Sequence, residues 1–149
     1  MITIPDIRWQ RCDIKSVALV ANVLGKQQAR EAGAYEAWQV RDGLVTEGTS
    51  TNAWIVTGDG TVVTRAADNA ILKGVTRLAV FDIIAREGYR LVERPFTVEE
   101  AKAAREAFLT STTADLLPVV RIDGAPVDDG RPGPLSSKLR AAYLAHAAA

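Results

Sequence analysis

Glycine-centred turn signals set the scale of every element in this chain. Gly33, Asp42-Gly43, Gly58-Asp59-Gly60, Gly88, Asp123-Gly124 and Gly133-Pro134 divide its 149 residues into short apolar runs, each suited to one strand or one helix of modest length. No run approaches the roughly 20 apolar residues that span a bilayer, and the first residues lack a basic-then-apolar leader pattern. A reducing, cytoplasmic setting is the default expectation.

Between these turns the apolar spacing assigns the elements. Residues 2–4 read as a short strand stopped by Pro5. Val17, Val20, Ala21 and Leu24 recur at helical spacing, so a helix is expected over 17–32, closed by Gly33 in a left-handed conformation. Strands are expected at 35–40 and from Leu44 towards Glu47, joined at Asp42-Gly43, and a second hairpin at 52–56 and 61–64. Leu78, Val80, Phe81, Ile83 and Ile84 mark a helix over 76–86. A strand at 89–94 precedes Pro95, and Thr97 caps a helix with Glu99 and Glu100 in its first turn. Short strands follow at 108–110 and 119–122, then a final helix over 135–145. Strands and helices mix without a regular βαβ beat, which predicts an α+β, or irregular α/β, fold of one domain.

Composition narrows function mainly by exclusion. Formal net charge is zero, so no broad attraction to nucleic acid or to an anionic membrane is expected. The basic stretch from Arg8 to Lys15 is interleaved with acids and reads as surface or site. A single cysteine, Cys12, allows neither a disulfide framework nor a multi-cysteine metal site. The one histidine, His146, lies in an alanine-rich tail, so neither a histidine triad nor a histidine metal centre is expected.

Four polar features could carry chemistry, and each has a bland alternative. Lys15 follows Cys12-Asp13-Ile14; such a lysine is most often a surface ion pair, yet a partly desolvated amine can hold an aldehyde as an imine. Glu47 opens the polar stretch 47–52, where a lone acid is usually solvated in a hairpin loop, but a carboxylate can also keep a pyridine nitrogen protonated. Gly74, with a helix beginning at Val75 or Thr76, is an ordinary helix start or a phosphate cradle of exposed amides. Thr110-Ser111-Thr112-Thr113 is a loop of hydroxyls or a further set of phosphate donors.

Taken together and in order, these residues resemble one family. Arg11-Cys12-Asp13-Ile14-Lys15-Ser16, the stretch Glu47 through Asn52, Val62-x-Thr64, Leu72-x-Gly74-Val75-x-Arg77, Leu109 through Ala114 and Gly133-Pro134-Leu135 are similar to the C-terminal domain of class IV aminotransferases. The likeness runs from about residue 4 to residue 143 and is strongest to the D-amino acid aminotransferase-like branch. It implies the cofactor-binding domain of that fold, with pyridoxal 5′-phosphate (PLP) as cofactor, amino acids and 2-oxo acids as substrates, and a homodimer in the full-length form.

The same resemblance implies roles. Lys15 would bind the cofactor covalently and then move the proton between the substrate Cα and the cofactor C4′. Glu47 would pair with the pyridine nitrogen, and Leu72 would pack against the ring. Val75 and Thr76 would hold the phosphate, with Ser111 and Thr112 adding to it. The backbone at Thr113 would lie near the substrate carboxylate, and Ser50 would stand behind these residues. Two positions depart from the pattern. Trp54 replaces a Phe or Tyr, which reads as a packing change. Val20 replaces a tyrosine of branched-chain aminotransferases, which points away from that subgroup.

The resemblance also implies an N-terminal domain of similar size that this sequence does not contain, which suggests a shortened gene product or a natural fragment. The expected activity is transamination of D-amino acids such as D-alanine with 2-oxoglutarate. Two alternatives stay open: a PLP lyase resembling aminodeoxychorismate lyase, and a non-catalytic cofactor-binding or dimerisation fragment.

Overall fold

The computed structural model describes residues 1–148. Its first part is a small mixed sheet. Strand β1 (Ile2–Pro5) leads into an irregular segment, helix α1 (Val20–Glu31) follows, and β2 (Ala37–Arg41) and β3 (Leu44–Gly48) form a hairpin. β1 pairs in parallel with β2, Ile2 opposite Ala37, so α1 is the crossover that parallel pairing requires. Asp42 and Gly43 both have positive φ, 53° and 76°, as a tight turn between twisted antiparallel strands needs. Helix α1 starts later than the apolar spacing suggested, because the amides ahead of it are already spent on local bonds. Ala18 N donates to Ser16 Oγ (3.3 Å) and Leu19 N to the Val17 carbonyl (2.8 Å). Gly33 (φ 67°) does end it in the left-handed region.

The second part is a five-stranded sheet with its two long helices on one face and a short one on the other. In chain order it contains β4 (Asn52–Val56), β5 (Val62–Thr64), α2 (Val75–Arg86), β6 (Leu91–Glu93), α3 (Val98–Lys102), β7 (Glu106–Ser111) and β8 (Asp115–Val119). The short pair β9 (Arg121–Ile122) and β10 (Ala125–Pro126) then leads to α4 (Pro134–Ala147). The strand order is β6-β5-β4-β7-β8. The β4–β5 turn is held by Asp59, which accepts from the Thr57 hydroxyl (2.5 Å) and from Thr61 N (3.1 Å). Thr97 and Glu100 cap each other reciprocally at the start of α3. Strand β8 was not expected, and the strand proposed at 119–122 is instead the end of β8 followed by β9. Pro118 disguises it: proline is tolerated there because β8 is an edge strand, paired on β7 alone.

Alternation along β4 decides how the layers stack. Ala53 and Ile55 face one way and pack with Trp38, Val45, Phe96 and Leu109, closing the small sheet onto the large one. Trp54 and Val56 face the other way, into Val80, Ile83, Ile84, Phe108, Leu116 and Leu139 beneath α2 and α4. Trp54 is fully buried. It stacks on Phe108 (5.3 Å, 13°), meets Phe81 edge-on (5.6 Å, 79°) and donates from Nε1 to Thr110 Oγ1 (2.9 Å). The indole thus fills its site and satisfies its own polar atom. Trp54→Ala is expected to cost about 3–5 kcal/mol of unfolding free energy in urea titration. A loss below about 1 kcal/mol would show that the site collapses around the cavity.

One surface remains apolar. Val17 (97% exposed), Leu19, Val20 (74%), Val23 and Leu24 lie together along the start of α1, and Ile7, Trp9 and Ile14 precede them in the chain. No helix of the described residues is long and apolar enough to cross a membrane.

Candidate functional site

Glu47 is the centre of the polar arrangement. The stretch 47–52 reads as a loop, but β3 continues to Gly48 and carries Glu47 into the interior, where it is 5% exposed. Burying a carboxylate is costly unless donors surround it, and here they do. Arg8 Nη1 donates to Oε1 (2.5 Å), Asn52 Nδ2 to Oε2 (3.0 Å), and Leu72 N is shared between both oxygens (3.2 and 3.1 Å). With three donors on about four acceptor sites, the carboxylate keeps room for one more.

Arg8 is itself held on several sides. Asp6 accepts from its Nε and Nη2 (both 2.9 Å), the Thr46 hydroxyl lies at 3.2 Å, and the Ala70 carbonyl accepts at 3.0 Å. Arg41 adds a second cation on Asp6 (3.2 Å). Burial works to lower the Arg8 pKa, but bonding to Asp6 and the charges of Glu47 and Asp6 outweigh it, and the net shift is upward. Arg8 stays a guanidinium. For Glu47 the balance falls the other way. Burial pushes its carboxyl up to about 7, although the charge and hydrogen bond of Arg8 and the Leu72 amide pull it down. The result is a carboxyl that gives up its proton near neutrality.

A single loop joins this carboxylate to the other predicted residues. Cys12 N donates to the Asn69 carbonyl (2.8 Å), which fastens the Lys15 segment to the loop. Ala70 then meets Arg8, Leu72 meets Glu47, and Gly74 caps α2. Asn52 spans the junction by also donating to the Leu72 carbonyl (2.9 Å). A Cβ on Gly74 would come within 2.5 Å of Asn52 Oδ1, so glycine is required there by this close approach.

The N-terminus of α2 has no side-chain cap and no acidic residue in its first turn. Its amides at Val75 and Thr76 are suited to an anion. Thr76 is 3% exposed with its hydroxyl 3.5 Å from the Tyr143 hydroxyl, while Val75 is 67% exposed. Ser111 Oγ lies 3.3 Å from Thr113 Oγ1 and accepts from Ala114 N (3.0 Å); Thr112 is exposed beside them. Lys15 is exposed in the irregular segment before α1, with no ion-pair partner among the described residues. Beside the 111–113 turn opens a cleft of ≈ 480 Å³ lined by Lys26, Arg30, Tyr35, Ser50, Thr51 and Thr113.

Geometry thus ties Glu47, Leu72 and the α2 N-terminus into one unit, fastens the Lys15 segment to it, and leaves the 111–113 hydroxyls accessible. A family model described as amino-transferase class IV matches residues 3–122. The chain belongs to this family. Among curated relatives, this class IV aminotransferase chain is 45% identical over 141 residues to the D-alanine aminotransferase of Bacillus licheniformis, covering 95% of the chain and 50% of that protein. It is 41% identical to the D-alanine aminotransferase of Listeria monocytogenes (strain 10403S), covering 96% and 49%. The chain spans about half the length of the curated relatives it matches. Among solved structures, the branched-chain aminotransferase of the thermophilic archaeon Thermoproteus uzoniensis superposes with a TM-score of 0.86 at 30% identity, over 96% of this chain and 49% of that one. The Thermobaculum terrenum branched-chain aminotransferase, solved in its PLP-form, superposes at 0.85 and 26%, over 96% and 48%.

Arg8 is the residue sequence reasoning undervalued. It stood in a mixed-charge stretch that reads as surface or site, and only the fold shows it 8% exposed against Glu47. Its local signal is Asp6 two residues earlier, a spacing that lets one side chain clamp the other.

Proposed function

We propose that this chain is the cofactor-holding half of a PLP-dependent aminotransferase that moves the amino group of D-amino acids, D-alanine foremost, to 2-oxoglutarate. The observation that carries the reading is the buried Glu47, with an acceptor position to spare, joined through Leu72 and Gly74 to an uncapped helix N-terminus. A ring nitrogen and a phosphate are the two polar ends that such a unit suits, so the residues present fit the cofactor. The D-alanine aminotransferases at 41–45% identity support the substrate class. So does Val20, in place of the tyrosine of the branched-chain subgroup.

When bound, the cofactor supplies an electron-accepting pyridine ring. The remaining work belongs to the chain. Glu47 would hold a proton on the ring nitrogen, with Arg8 and Asn52 fixing the carboxylate plane. Val75 and Thr76 would bind the phosphate through backbone amides and the Thr76 hydroxyl, joined by Thr112 and Ser111. Leu72 would pack against the ring face. The Lys15 amine would anchor the cofactor and then carry the proton between the substrate Cα and C4′. The backbone at Thr113 would meet the substrate carboxylate. The exposed apolar surface of α1 supports a homodimer of the full-length enzyme, and the composition supports a cytoplasmic one.

The test is D-alanine-dependent conversion of 2-oxoglutarate to glutamate by protein of the relatives' full length, with PLP supplied. Glu47→Gln should retain the cofactor but slow amino transfer by about tenfold or more, since an amide cannot hold the ring nitrogen protonated. Wild-type rates in that variant would reduce Glu47 to a structural carboxylate. Pyruvate release from aminodeoxychorismate, without keto-acid-dependent transfer, would replace the transaminase reading with a lyase.

A further inference from the structure

Glu36 is a second buried carboxylate, and the chemistry just described does not use it. It lies just ahead of β2 with 0% exposure. Its Oε1 accepts from Ala37 N (2.9 Å) and from the Thr49 hydroxyl (2.5 Å). Its Oε2 accepts from Ser50 N (3.3 Å), the Ser50 hydroxyl (3.2 Å) and the Thr51 hydroxyl (3.4 Å). Lys26 Nζ, at 3.7 Å, is the neighbouring cation. The donors outside β2 thus come from three consecutive residues of one turn.

That turn joins the two strands that build the centre of the site. Glu47 lies before it on β3 and Asn52 after it on β4, and they meet at 3.0 Å. The turn departs from a simple hairpin: Gly48 N bonds the Thr51 carbonyl (2.7 Å), and a Cβ on Gly48 would collide with Thr51 Oγ1. Gln39 Nε2 holds the Gly48 carbonyl from β2 (3.1 Å). Residues that crowd this closely around a carboxylate are placed by it, because a buried charge left unsatisfied is costly enough to dictate where its donors sit.

We propose that Glu36 is a positioning residue: by gathering Thr49, Ser50 and Thr51 it fixes the turn so that Asn52 is delivered to Glu47. The proposal rests on the reading of Glu47 as the acidic centre of the site. The hydroxyl run 49–51 thereby gains a role of its own. Its side chains face a carboxylate and act on the site only through the turn.

The test reads Glu47 directly and needs no cofactor. In the 149-residue chain, Glu47 is followed by carbon-detected NMR of its side-chain carboxyl across the pH range, for wild type, Glu36→Gln, Thr49→Val and Thr49→Ser. Losing the Asn52 contact removes a hydrogen bond that favours the charged form, so the Glu47 midpoint should rise by about one pH unit in Glu36→Gln and Thr49→Val. Thr49→Ser keeps the hydroxyl and should stay at the wild-type midpoint. If Glu36 acted only as a distant charge, Glu36→Gln would lower the midpoint and Thr49→Val would leave it unmoved. If it served stability alone, melting would fall and the midpoint would not move. Either result overturns the proposal. Should Glu36→Gln fail to fold, Thr49→Val, which exchanges one hydroxyl for a methyl, carries the same comparison. Failure of PLP uptake at Lys15 would overturn the functional reading and leave these midpoints as they are.

Discussion

Lys15→Ala should abolish covalent capture of PLP and reduce amino transfer by about 10²–10⁴-fold or more, the range lost when a positioned proton-transfer group is removed. In wild type, borohydride reduction after PLP addition should fix the cofactor's mass on the peptide containing Lys15. The structure sharpens this expectation. Lys15 is exposed and without an ion-pair partner among the described residues, while its segment is fastened by Cys12 to Asn69 in the loop that reaches Glu47 and α2. Lys26 is the useful contrast: its ammonium donates to the Tyr35 carbonyl (2.7 Å) and sits 4.8 Å above that ring. Lys73 is exposed in the same loop as Leu72 and is the sterner control, since it lies next in sequence to the unit that holds Glu47. Label on Lys26 or Lys73, with none on Lys15, would sink the assignment.

The 149-residue chain on its own should bind PLP weakly and transfer little or no amino group, whereas protein of the relatives' full length should do both. In the proposed arrangement Glu47 and the α2 N-terminus would address the ring nitrogen and the phosphate, but no buried cation among the described residues is free to clamp a substrate carboxylate. Arg8 is committed to Asp6 and Glu47, and Arg77 to Glu93 (2.6 Å). Loose placement of the reacting Cα–H bond alone costs about 100-fold or more. D-alanine-to-2-oxoglutarate transfer, with PLP in excess and folding checked by circular dichroism, decides the matter. Robust turnover by the short chain would show that residues already present, with Arg30 and Lys26 in the cleft beside the 111–113 turn the first to mutate, supply the carboxylate contact. A folded, PLP-loaded and silent chain would support the prediction.

What could be read from the sequence was local. Asp42-Gly43, the left-handed Gly33 and the Thr97 cap are each fixed by a few neighbouring residues and appear as expected; the structure adds a left-handed Gly88 and the answering bond of Glu100 to Thr97. Parallel pairing of β1 with β2 depends on a crossover, and neither strand alone encodes it. The edge strand β8 hid behind Pro118, whose missing amide is harmless only where no further strand needs it. In the site, Lys15, Glu47, Leu72, Val75, Thr76, Ser111, Thr112 and Thr113 were named through the family likeness, and their roles remain proposals. Arg8, by contrast, becomes visible only when β3 brings Glu47 beside it, because the nearby Asp6 signals an ion pair but not that the pair is buried. Glu36 sat inside a stretch that reads as a plain strand, and only the folded 49–51 turn reveals what surrounds it.

The apolar surface along Val17, Leu19, Val20, Val23 and Leu24 changes what a purified sample of this chain is. Water covers such a surface poorly, so molecules in solution will tend to shelter it against one another, and association follows mass action. A melting temperature taken at one dilution is therefore expected to report association as well as the fold. It should climb with protein concentration, and mutational effects compared at unequal concentrations would mix the two.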